Sequence, residues 1–141
     1  MNIRDPKKFL ETLWDWTPFN RCFQGTSIRI ADLDGIVERN GYFLVIETKL
    51  PNQEIPDGQR YLLDTLSQLP NFTVLIVWGK PNQPDHAAVW GSSPIKAKTM
   101  DDLIEYVTQW FHKHDKKPRY RLPSTAARPH KGGVFRGLFG R

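Results

Sequence analysis

A chain of 141 residues and 16.4 kDa has the length of one domain and leaves no room for a second core. Hydrophobic residues at 39% and aromatics at 12% argue against global disorder, and one cysteine, Cys22, excludes an internal disulfide and a thiolate zinc site. The net charge of +5 is split: residues 1–112 hold 11 Lys+Arg against 14 Asp+Glu, a net of −3, while residues 113–141 hold 9 against one, a net of +8. A basic end on a mildly acidic body suits a partner carrying phosphates.

Asp5-Pro6 reads as a helix cap with proline in the first turn, and Phe9, Leu10, Leu13 and Trp14 recur at helical spacing, predicting a helix over about 5–16. Thr17-Pro18 ends it. Ser27–Asp32 alternates as a strand does, and Gly35–Glu38 leads into Arg39-Asn40-Gly41, a hairpin turn. The aromatic and β-branched run Tyr42–Lys49 predicts the returning strand. Pro51 and Pro56 bound a loop, and Leu62, Leu63, Leu66 and Leu69 mark a helix from about Asp57 to Gln68. Phe72–Trp78 reads as a buried strand, and Ala87–Trp90 as a short further one. Thr99–Asp102 resembles a capping box before an amphipathic helix carrying Leu103, Ile104, Val107, Trp110 and Phe111.

The expected order α-β-β-β-α-β-β-α describes an α/β fold with a mixed sheet flanked by helices. The longest apolar run, Val74–Trp78, is far shorter than the ~20 residues of a spanning helix. Met1–Asp5 does not open a secretory signal, so the expectation is a soluble, cytoplasmic protein. After His112 the periodicity gives way to Pro, Gly and basic residues, which divides the chain into a domain over 1–114 and a flexible basic tail over 115–141.

The chemistry concentrates in the hairpin. Glu47 and Lys49 alternate onto one face of their strand, holding a carboxylate beside an amine, and Asp34, at the turn into the paired strand, brings a second carboxylate to the same end. Glu47 also follows five apolar residues, Tyr42–Ile46, in what reads as a central strand, where a surface charge pair is out of place. Two carboxylates with carbonyls and waters suit Mg²⁺, and a neighbouring lysine orients or deprotonates a metal-bound water or stabilises charge on a phosphate. Asp32 shares a face with Asp34 on an extended segment and stands as an alternative ligand. His112 and His114 read as helix-end cations rather than as ligands. Of the five tryptophans, Trp90 is the candidate for a base-stacking role and the others for the core.

Asp34-Gly35-Ile36-Val37-Glu38, Gly41–Lys49 with its Glu47-Thr48-Lys49, and Gly58-Gln59 together resemble the core of the PD-(D/E)XK nuclease superfamily, over roughly residues 5–80. The resemblance implies a restriction-endonuclease-like αβββαβ core, with Asp34 and Glu47 as metal ligands, Lys49 as catalytic lysine and Gln59 as the glutamine many members carry on the following helix. It also points to Glu11 as a first-helix acid, although the helical wheel sets Glu11 opposite the Phe9/Leu10/Leu13 side. The proline that often precedes the first aspartate is replaced by Leu33.

The resulting expectation is a Mg²⁺-dependent DNA endonuclease, with Mn²⁺ as a substitute ion, in the cytoplasm of a bacterial or phage-infected cell. DNA is favoured over RNA by the resemblance alone. A domain this small needs a homodimer to cut both strands symmetrically. The alternative is a non-catalytic nucleic-acid-binding or partner-docking module on the same fold. Lys116, Lys117, Arg119, Tyr120, Arg121, Arg128 and Lys131 are the expected nucleic-acid contacts, an aromatic interleaved with basic residues. Residues 132–141, with Val134, Phe135, Leu138 and Phe139, read as a docking peptide for a protein partner, as a weak membrane-surface helix or as a plain continuation of the nucleic-acid tail.

Overall fold

A computed structural model of the chain describes residues 4–123. Its elements run α1 (Pro6–Glu11), a 3₁₀ turn (Thr17–Phe23), β1 (Gly35–Arg39), β2 (Tyr42–Lys49), α2 (Asp57–Gln68), β3 (Phe72–Lys80), β4 (Gln83–Val89), β5 (Pro94–Ile95) and α3 (Met100–Asp115). The strands form one mixed sheet in the order β1-β2-β3-β4-β5, in which β2 and β3 run parallel and the other pairs antiparallel. α2 supplies the crossover that a parallel pair requires.

The hairpin turn follows from its two residues. Asn40 (φ 52°) and Gly41 (φ 78°) both take positive φ, as a two-residue turn matching the strand twist demands. Alternation along β2 and β3 then sorts two cores onto the two faces of the sheet. Val45, Val74 and Ile76 pack with Leu63 of α2 and Ile55 of the preceding loop, while Leu44, Leu75, Val77 and Ala87 pack with Trp110 of α3. Both flanks of the sheet are covered by a helix, giving an α/β architecture in three layers. No helix among the described residues is long and apolar enough to cross a membrane.

Several local readings change. α1 stops at Glu11 rather than near Trp16. Asp5 caps it by accepting from the Lys7 and Lys8 amides, each at 3.1 Å, but no residue of the helix is buried, so nothing rewards further turns. Ser27–Asp32 forms no strand despite its alternation: these residues are exposed and join no strand ladder among the described residues, and β1 is left as the sheet edge. The hairpin before α2 therefore contributes two strands, not three. β4 begins at Gln83 and ends at Val89, earlier at both ends than the expected Ala87–Trp90.

The expected domain boundary at His114 lies inside α3. Its N-terminus carries the capping box, with the Asp102 amide donating to Thr99 Oγ1 at 3.2 Å and the Thr99 amide to Asp102 Oδ2 at 3.1 Å. Beyond Asp115, the segment as far as Tyr120 stays against the hairpin. The Tyr120 amide donates to the Asn40 carbonyl at 2.8 Å, Asn40 Nδ2 donates to the carbonyls of His114 and Lys117 at 3.0 and 3.1 Å, and the Tyr120 ring meets Tyr42 edge-on.

His114 is not the helix-end cation expected. It is buried, packed between the rings of Tyr42 and Trp110, and its Nδ1–H donates to the Trp110 carbonyl at 2.7 Å. Burial pushes its imidazole below the ordinary histidine pKa, outweighing the opposite effect of that hydrogen bond, and Lys117 and Lys113 act in the same direction as burial.

Candidate active site at the carboxyl end of β2

In β2, the odd-numbered residues Val45, Glu47 and Lys49 face the α2 side, so the alternation that buries Val45 also carries Glu47 inward. Glu47 is only 4% exposed. Its Oε1 receives two partners: Lys49 Nζ at 3.2 Å, and Gln59 Nε2, which donates from the first turn of α2. The lysine and glutamate side chains are 10% and 5% exposed, so the ion pair is sheltered from water. The other oxygen, Oε2, is buried and has no hydrogen-bond partner among the described residues. Leaving a buried acceptor unsatisfied costs about 1–3 kcal/mol, more for a charged group.

Asp34 lies one residue before β1, where the antiparallel pairing Gly35↔Ile46 brings it to the level of Glu47. Its Oδ2 accepts from both the amide and the hydroxyl of Thr48, each at 2.8 Å. Thr48 alternates onto the opposite face of β2 from Glu47 and Lys49, so strand period alone does not mark it as part of the site. The missed signal is its place between Glu47 and Lys49, where its amide and hydroxyl clamp the incoming aspartate.

The other expected ligands lie apart from this cluster. Asp32 accepts from Trp16 Nε1 at 3.1 Å, and Glu11 is exposed on α1 with no ion pair among the described residues. Among the described residues no three His, Cys, Asp or Glu side chains gather as a metal-binding group. The carboxylates at this strand end that could hold an ion are Glu47 and Asp34, with backbone oxygens and water completing the set. That donor set fits Mg²⁺, which binds through one or two carboxylates and keeps several waters, better than a metal needing a full protein cage.

The described part of the basic tail sits elsewhere. Lys117 Nζ lies 4.7 Å over the Tyr42 ring, and Tyr120 packs against the same ring, at the amino end of β2. Five residues of strand, about 16 Å, separate Tyr42 from Glu47. Tyr120 is thus committed to packing, while Lys116, Arg119 and Arg121 are exposed. Arg128, Lys131 and residues 132–141 lie outside the described residues. Trp90 is tied to α2, its Nε1 donating to Asp64 Oδ1, which gives it a structural task.

Comparisons with protein-family models, with curated proteins and with solved structures find no match to this chain.

Proposed function

We propose that the protein is a Mg²⁺-dependent nuclease that hydrolyses phosphodiester bonds, with Glu47, Asp34, Lys49 and Gln59 as its active site. The observation that carries this reading is Glu47: a buried carboxylate with a lysine and an amide converging on one oxygen and the second oxygen without a partner among the described residues. A hard cation at that second oxygen relieves the unsatisfied charge. Glu47 and Asp34 would hold such an ion, which would supply Lewis-acid polarisation of a phosphate and a more acidic water.

The chain's own residues complete the work. Lys49, anchored by Glu47, presents a positive charge beside the reacting phosphate and orients the attacking water. Gln59 fixes the Glu47 rotamer from α2, and Thr48 holds Asp34 at the same strand end. The carboxyl end of a parallel strand pair is where open α/β sheets bind ligands, which agrees with this placement. The finer reading is a restriction-endonuclease-like core in which α1, the β1-β2 hairpin, α2 and β3 take the family's roles, with the strand over 27–32 unformed. DNA is the preferred substrate and internal cleavage by a homodimer the preferred mode.

The non-catalytic alternative draws on Asp34, whose Oδ2 is already occupied by Thr48. Incubation of wild type and Lys49→Ala with labelled single-stranded, duplex and branched DNA, in Mg²⁺, Mn²⁺ or EDTA, separates the two. Metal-dependent cleavage that Lys49→Ala loses supports the nuclease. Salt-sensitive binding without cleavage supports the binding module.

A further inference from the structure

On the same sheet face as Lys49, an aromatic ladder runs outward across the strands. Lys49 is in register with Trp78 of β3, and Trp78 with His86 of β4. The rings of Trp78 and His86 are stacked, with centroids 4.7 Å apart and planes 5° from parallel. The indole is anchored by its Nε1–H, which donates to the Gln53 carbonyl at 3.1 Å, and the imidazole by its Nδ1, 3.1 Å from Asp85 Oδ2. His86 remains exposed, its side chain at 56%. β5 pairs with Ala87 and Ala88, and among the described residues no strand covers the edge at His86. Two strand spacings, about 10 Å, separate Lys49 from His86, within the reach of a nucleotide.

We infer that the Trp78–His86 stack is a base-stacking platform, which makes the substrate of the Lys49 site a nucleic acid carrying an unpaired nucleotide next to the cleaved bond. This rests on the nuclease reading above. A rigid, prestacked ring pair loses little entropy when a third ring joins it, and every base has a π-face to offer. Asp85 beside the imidazole repels a phosphate, which favours the base rather than the backbone as the group that lands there. A base paired within a duplex is stacked on its neighbours, so only single-stranded, flapped or branched substrates present one.

The test is equilibrium binding in EDTA, where metal-dependent cleavage is silent. A short labelled thymidine oligonucleotide is compared with its base-free deoxyribose-phosphate counterpart, using wild type, His86→Ala and His86→Phe. Stacking of one base is worth about 1–3 kcal/mol, so wild type should prefer the base-bearing strand by about 5- to 160-fold. His86→Ala should abolish that preference and His86→Phe, which keeps a ring, should restore it. A cross-strand pair with a purely structural task would shift thermal stability and leave the preference intact. Equal binding of both strands by wild type, or a preference retained by His86→Ala, overturns the platform and leaves the nuclease reading to the cleavage assay. Binding of neither strand likewise overturns the platform and leaves the nuclease reading to the cleavage assay.

Discussion

Replacing Glu47 by glutamine keeps the shape of the side chain and removes its charge, leaving Lys49 as a buried cation with no counter-ion. At an effective dielectric constant of about 20, unit charges 3.2 Å apart attract by about 5 kcal/mol. Desolvation of both groups offsets part of that, and removing one member of a buried pair costs about 3–5 kcal/mol. Glu47→Gln should therefore lose about 3 kcal/mol in metal-free urea unfolding, with the slope of the transition unchanged. Adding Lys49→Met should recover at least half of the loss, a coupling that a double-mutant cycle measures directly. Mg²⁺ at about ten times its dissociation constant should raise wild-type stability by about 1.4 kcal/mol and leave Glu47→Gln unmoved. Equal stability of wild type and Glu47→Gln in EDTA, together with equal response to Mg²⁺, would refute both the buried pair and the role of the unpartnered Oε2.

The β3-β4 connection depends on Gly79, where the register shifts and a Cβ would collide with the Gln83 carbonyl and come within 2.8 Å of Pro84 Cα. Gly79→Ala should cost about 3 kcal/mol or more, read as a fall in thermal midpoint. Leu63, fully buried between α2 and the sheet, should lose about 2–5 kcal/mol on truncation to alanine, measured by urea unfolding. The depressed pKa of His114 means that the unfolded chain binds more protons than the folded one between the lowered folded value and about 6.5. That contribution is fully present above pH ~6.5 and is lost as pH falls through the folded value, so wild type should lose stability on acidification below pH 6.5. His114→Gln should show a flatter profile over the same range, and identical slopes would count against a buried neutral imidazole.

Much of the architecture was legible because local chemistry agreed with global placement. Asn40-Gly41 demands a tight turn, Tyr42–Lys49 is built for a pleated surface, and the leucines of α2 and the apolar stripe of α3 each mark one buried side. The elements misread are those whose local pattern found no partner. Ser27–Asp32 alternates as a strand should, but alternation without a neighbouring edge has no ladder to join. The stripe of Leu10, Leu13 and Trp14 has helical spacing, yet those three side chains remain exposed and α1 ends early.

The site divides in the same way. Strand alternation alone placed Glu47 and Lys49 on one face, since a period of two is a property of the backbone and needs no knowledge of the fold. The convergence of Gln59 on Glu47, the clamp of Thr48 on Asp34 and the stack of Trp78 on His86 join residues 12, 14 and 8 positions apart in the chain, and depend on crossover and register. Such contacts arise when a helix crosses back over the sheet or strands pair at one alignment. Burial then decides their weight, because a carboxylate oxygen that water satisfies at the surface is costly to leave unpartnered inside a protein.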